Sequence, residues 1–142
     1  MSDHRQLGVD AFKETWRLML SRENDELMLD CAHASRYHWA LAPECEPENR
    51  ARSAWLLARA YAVAGQSQPA LEHAERCREL CEQNDLRDWD LAYAYEALAR
   101  ANLLAGEPDA AASYVKLARA VEIAEDEDRE QLAGDLESLA LN

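Results

Sequence analysis

The chain has 142 residues, a formal net charge of -13, and 28 acidic against 15 basic side chains, with only 4 Gly and 4 Pro. That length sets one domain with a real core, and the acidic balance argues against nucleic acid or an anionic membrane surface, which both need a basic footprint. Ala, Leu, Glu, Arg and Gln are strong helix formers and no stretch alternates in the strand manner, so an all-α fold is expected.

The first eight residues are polar and expected to be mobile. A first helix is predicted from about Val9 to Ser21, with Phe12, Trp16, Leu18, Met19 and Leu20 as its apolar members. Asn24 is a good cap for a second helix from about Asp25 to Ala42. Stepping about 100° per residue places Leu27, Cys31, Ala34, His38 and Leu41 in one apolar stripe of that helix. Met28, Ala32, Ser35, Trp39 and Ala42 flank it. Pro43 and Pro47 then stop the helix.

A third helix is expected over 48–64, ended by Gly65, and a fourth continues past Pro69 to about Gln83. A fifth, about Asp88 to Ala105, starts on acidic residues that suit a helix N-terminus and ends at Gly106. Pro108 opens a sixth, expected to reach Glu125. The acidic run Glu125 to Asp128 interrupts it or lies on a solvated face. A last helix, 129–141, carries Leu132, Leu136 and Leu139 and reads as a cap over an open apolar face.

Residues 57–66 (Leu-Ala-Arg-Ala-Tyr-Ala-Val-Ala-Gly-Gln) return at 98–107 as Leu-Ala-Arg-Ala-Asn-Leu-Leu-Ala-Gly-Glu, with an offset of 41. Two helix hairpins at a fixed offset imply a stacked array, because one pair cannot cover its own apolar face. In one unit the pattern is Leu57, Ala58, Tyr61 and Gly65, then Ala70, Ala74 and Cys77; in the next it is Leu98, Ala99, Asn102 and Gly106, then Ala111, Val115 and Ala118. These residues resemble the tetratricopeptide repeat. Asn102 stands where that family has an aromatic, and the usual repeat is about 34 residues. The seven extra residues amount to roughly one added turn per helix, which keeps the packing faces in phase. The resemblance implies a short right-handed array of antiparallel helix pairs: 9–42 as a degenerate first pair, 48–83, 88–125, and the capping helix. Small bacterial proteins of this class without assigned function are similar over 32–39.

In that family the first helix of each pair lines a concave groove. The matching positions are Arg52, Trp55 and Arg59 in one unit, and Tyr93, Glu96 and Arg100 in the next. Arg59 and Arg100 occupy the same place in successive units. Guanidinium groups in a groove grip carboxylates with paired hydrogen bonds, and Trp55 and Tyr93 supply contact area at low entropy cost. The competing reading is that these arginines pair with Glu96 and hold the repeats together, with Trp55 in the core.

Other constellations are weaker. His33 and His38 sit about 140° apart around a helix axis, so they do not chelate together. Asp30, His33, Tyr37 and His38 carry the alternative reading, a small metal-binding or acid–base enzyme, with His73 and Cys77 as the other weak metal-ligand candidates. His73, Cys77 and Cys81 step by four, but the outer two are about 12 Å apart along the axis, and core packing is the commoner role of such cysteines. No phosphate loop or nucleophile elbow occurs.

With no apolar run near the roughly 20 residues of a membrane span, no apolar signal segment in Met1 to Asp10, and cysteines that read as reduced thiols, the expected location is cytoplasmic. The expected function is a noncatalytic interaction module without cofactor. It would bind a peptide or chain terminus, with self-association into a homodimer as a further reading.

Overall fold

A computed structural model describes residues 3–139. Among these, seven α-helices and no strand are present: α1 (His4–Ser21), α2 (Asp25–Leu41), α3 (Pro47–Val63), α4 (Ser67–Gln83), α5 (Asp88–Leu104), α6 (Pro108–Ala120) and α7 (Asp126–Glu137). Successive helices pack as pairs, α1 with α2, α3 with α4, and α5 with α6. The helices α1, α3, α5 and α7 lie side by side in one layer, each touching the next, and the even-numbered helices back them.

α3 and α5 each span 17 residues and begin and end at an offset of 41. Their burial repeats as well. Ala51, Ser53, Leu56, Leu57, Ala58 and Ala60 are buried on α3, and Ala92, Ala94, Ala97, Leu98, Ala99 and Ala101 are buried at the same register of α5. Small side chains at these crossings let neighbouring backbones approach closely. Both helices run into a glycine in the left-handed region, Gly65 at φ 79° and Gly106 at φ 80°, where a Cβ would be strained.

Several boundaries differ from the sequence expectation. α1 starts at His4, five residues before Val9, because Asp3 caps it by accepting from the amides of Arg5 and Gln6. The segment 4–8 is therefore ordered helix, and Gly8 is buried against Trp39; Met1 and Ser2 lie outside the described residues. α6 stops at Ala120 rather than near Glu125. The acidic run is the N-terminal turn of α7, where Asp126, Glu127 and Asp128 meet the positive end of the helix dipole. Leu132, Leu136 and Leu139 are buried against α5 and α6 residues such as Ala92, Val115 and Ala118, as a cap requires. The expected helix end at Leu141 lies outside the described residues.

The buried face of α2 is also rotated from the expected one. Met28, Ala32 and Ser35 are buried, whereas Leu27 and Leu41 are 43% and 49% exposed. Small side chains decide this. The Ser35 hydroxyl donates to the Gly8 carbonyl at 2.8 Å, so α1 and α2 touch at Gly8, Ser35 and Trp39, and the larger leucines turn outward. Leu20 of α1, expected among the apolar members, is also exposed.

Candidate functional site

The layer of odd-numbered helices encloses a cleft of about 630 Å³. Arg52, Trp55 and Arg59 reach it from α3 and Tyr93 from α5, so four of the six expected groove residues share one wall. Phe12 and Trp16 of α1 close one side, and Gln131 and Asp135 of α7 close the other. Trp89 and Asp90, in the first turn of α5, complete the rim.

The aromatic rings make a corner. Trp55 stands perpendicular to Tyr93 at 5.8 Å between centroids, and Trp89 lies 4.4 Å from Tyr93. Trp16 faces Trp55 at 5.8 Å. Three of the four tryptophans thus line a single cleft. Trp55 also packs against all the core clusters, so it is at once wall and core.

Glu96 lies beneath this wall with no exposed surface. Arg100 donates to its Oε2 from Nε at 2.9 Å and pairs through Nη2 at 2.8 Å, and Trp55 Nε1 donates to Oε1 at 3.4 Å. Arg59 Nη1 is 3.5 Å from the same Oε2, yet it is buried without a hydrogen-bond partner among the described residues. One carboxylate therefore serves two guanidinium groups, and Arg100 takes the better geometry. Burial lowers the Arg59 pKa, Glu96 opposes that, and Arg100 adds to it; an arginine stays charged regardless. The guanidinium of Arg59 also lies 6.0 Å from the Trp16 ring centroid, within cation–π range.

The remaining charges are better matched. Arg52 forms a two-pronged pair with Asp90, at 2.9 and 3.2 Å. The Tyr93 hydroxyl donates to Asp135 at 2.5 Å, tying α7 to α5. Burial, followed by that bond, pushes the Tyr93 phenol above its usual range.

Arg100 is not at the cleft. It lines a separate depression with Leu103 and Ser138, and donates to the Ser138 hydroxyl at 3.3 Å. Glu96 is under the cleft rather than on it. Glu96 is the ion-pair partner of Arg59, and Arg100 competes for the same carboxylate. Sequence reasoning missed Phe12, Trp16, Trp89, Asp90, Gln131 and Asp135. The signal for Trp89 was present: it continues the Tyr93, Glu96, Arg100 spacing back by one turn.

The histidines fall into two separate pairs, His4 with His38 and His33 with His73. His33 Nε2 is 2.7 Å from the Tyr61 hydroxyl of α3, and His73 of α4 stacks on Tyr61. His38 instead pairs with His4 of α1, the two Nδ1 atoms being 2.9 Å apart. Tyr37 leans on His38 and is exposed. Asp30, His33, Tyr37 and His38 thus face different neighbours and form no common site. His73 turns toward Tyr61, while Cys77 and Cys81 sit in the core between α3, α4 and α5. A hydrogen bond to Cys81, with burial, holds the Cys77 thiol well above the usual range. Among the described residues no three His, Cys, Asp or Glu side chains gather closely enough to hold a metal, and no helix is long and apolar enough to cross a membrane.

No family model matches this chain, and neither a curated protein nor a solved structure does.

Proposed function

We propose that the protein is a noncatalytic binding module, a short right-handed helical array related to tetratricopeptide repeats, that takes a peptide or chain terminus in the cleft between α1, α3, α5 and α7. One observation carries this reading. Arg59 lines an aromatic cleft, is only 17% exposed, and leaves a buried nitrogen unbonded. That nitrogen is closed off against Glu96, but the guanidinium itself borders the cleft and its nearest carboxylate is shared with Arg100, so an anionic group of a ligand entering the cleft meets a cation there. The repeated register of α3 and α5 supports the array. The paired charges of Arg52 with Asp90 and of Arg100 with Glu96 rank Arg59 first among the groove arginines.

The test is an array of short peptides with free carboxyl ends, probed with the wild-type protein and with Arg59→Gln. The reading expects a set of peptides bound by the wild type and lost by the variant, with far-ultraviolet circular dichroism unchanged. Binding that ignores the substitution, or no bound peptide at all, removes it.

A further inference from the structure

The cleft walls say more than that an anion fits. Resting on the reading above, we infer that the occupant is a polypeptide end whose last residue is aromatic, its ring held in the tryptophan corner and its carboxylate directed to Arg59.

The argument starts from the rings. Trp16, Trp55, Trp89 and Phe12 are all only part-buried, and all border one hollow. Large aromatic surfaces left in contact with water cost free energy that an apolar ligand group recovers. Trp55 and Trp89 both pack on the buried Tyr93, at 5.8 and 4.4 Å, and both keep part of their surface toward the cleft, so two indoles border the same corner. A third ring entering such a corner finds edge-to-face or offset partners on two sides, which an aliphatic chain does not. The carboxylate requirement comes from Arg59, whose neighbour Glu96 is already engaged by Arg100. Ring and anion must therefore be close together, as they are in a C-terminal Phe, Tyr or Trp.

Size favours a chain end over a free aromatic acid. The volume of about 630 Å³ lies within the range of sites for drug-sized ligands, and one benzyl group with its carboxylate fills only part of it. Gln131 and Asp135 along α7 then offer a donor and acceptors to the amides of the preceding residues.

Isothermal titration with four probes tests this: a hexapeptide ending in Phe, the same peptide ending in Ala, the Phe peptide as its amide, and N-acetylphenylalanine. The Phe-terminated acid should bind roughly tenfold tighter than the Ala-terminated acid, the worth of one aromatic pairing with its burial. The amide and the free acid should both be weaker than the Phe-terminated peptide. Trp89→Ala should erase the preference for Phe over Ala and keep that for acid over amide; Arg59→Gln should do the reverse. Phe12→Ala repeats the first test at a second wall should Trp89→Ala fail to fold. Equal binding of the Phe and Ala peptides overturns the aromatic end while leaving a peptide-binding module in place. Equal affinity for N-acetylphenylalanine overturns the chain end. If no acid-terminated peptide binds, both readings fall.

Discussion

Replacing Glu96 by Gln asks how much of the molecule depends on one buried carboxylate. The side chain has no exposed surface, and it faces Arg100 at 2.8 Å and Arg59 at 3.5 Å. Gln keeps the size and one acceptor oxygen but removes the charge. Two guanidinium groups, 17% and 20% exposed, then lose the carboxylate they share, and Asp135 is the remaining acidic group acting on Arg59. Removing one partner of a buried ion pair costs about 3–5 kcal/mol. Both arginines retain some water contact, so about 2–4 kcal/mol is the expected loss here. At this chain length that corresponds to a fall in melting temperature of roughly 6–15 °C. Urea unfolding followed by circular dichroism measures it. Adding Arg59→Gln to the variant should return about 1 kcal/mol or more, because the second, uncompensated cation is gone. A loss below about 1 kcal/mol for Glu96→Gln, or a double variant no better than the single, would refute the picture of a shared carboxylate.

Three further expectations follow from local geometry. A Cβ placed on Gly8 would stand 2.8 Å from Trp39 Cδ1, so Gly8→Ala must push a ring aside; the overpacking cost of about 1–3 kcal/mol outweighs a helix-propensity gain near 1 kcal/mol, and a net loss is expected in urea unfolding. Asp88 sits at φ 57° and accepts from the amides of Trp89 and Ala124 at 2.6 and 3.0 Å, so Asp88→Ala should cost about 1–2 kcal/mol and speed hydrogen exchange at Ala124. His33 and His73 are both lowered in pKa, chiefly by burial and then by Arg36, while Asp30 and Glu72 respectively oppose the shift. The unfolded chain then binds more protons than the folded one as pH falls through about 6.5, and stability drops there while remaining flat above. Urea midpoints at pH 7.5 and 5.5 should therefore differ less in a His33→Gln/His73→Gln variant than in the wild type.

Most of the helices were legible from the sequence because caps and stops are local chemistry: Asn24, Pro47, Gly65, Gly106 and Pro108 each mark a boundary within a residue or two. The start of α1 was missed because polar residues before Val9 read as a tail, although Asp3 was available as a cap. The face of α2 was misjudged because counting apolar residues favours leucine, whereas close helix contact is decided by the small residues Gly8, Ala32 and Ser35. The groove was legible on α3 and α5, where the repeat supplies a register. Its other two walls come from α1 and α7, which carry no copy of that repeat. Phe12, Trp16, Gln131 and Asp135 therefore had no sequence position to be matched against.

The repeat itself explains why Arg59 is left short of an acceptor. Trp55 and Glu96 occupy equivalent positions, 41 residues apart, and so do Arg59 and Arg100. Had both units carried a glutamate, each arginine would have had its own carboxylate one turn before it. Instead one unit has an indole there, whose Nε1–H is a donor and competes for Glu96 rather than satisfying a guanidinium. Two arginines and one indole converge on two carboxylate oxygens. Arg100, on the same helix as Glu96 at a spacing of four, reaches it with two nitrogens. Arg59 must reach across from α3, and its approach falls short of hydrogen-bond geometry. The exchange of Glu for Trp thus does two things at once: it adds an aromatic wall and leaves beside it a cation whose carboxylate is shared. A Trp55→Glu variant would undo both, giving Arg59 its own carboxylate. It should abolish binding of acid-terminated peptides in the same titrations even though Arg59 is untouched; retained binding would show that Arg59 does not depend on this missing acceptor.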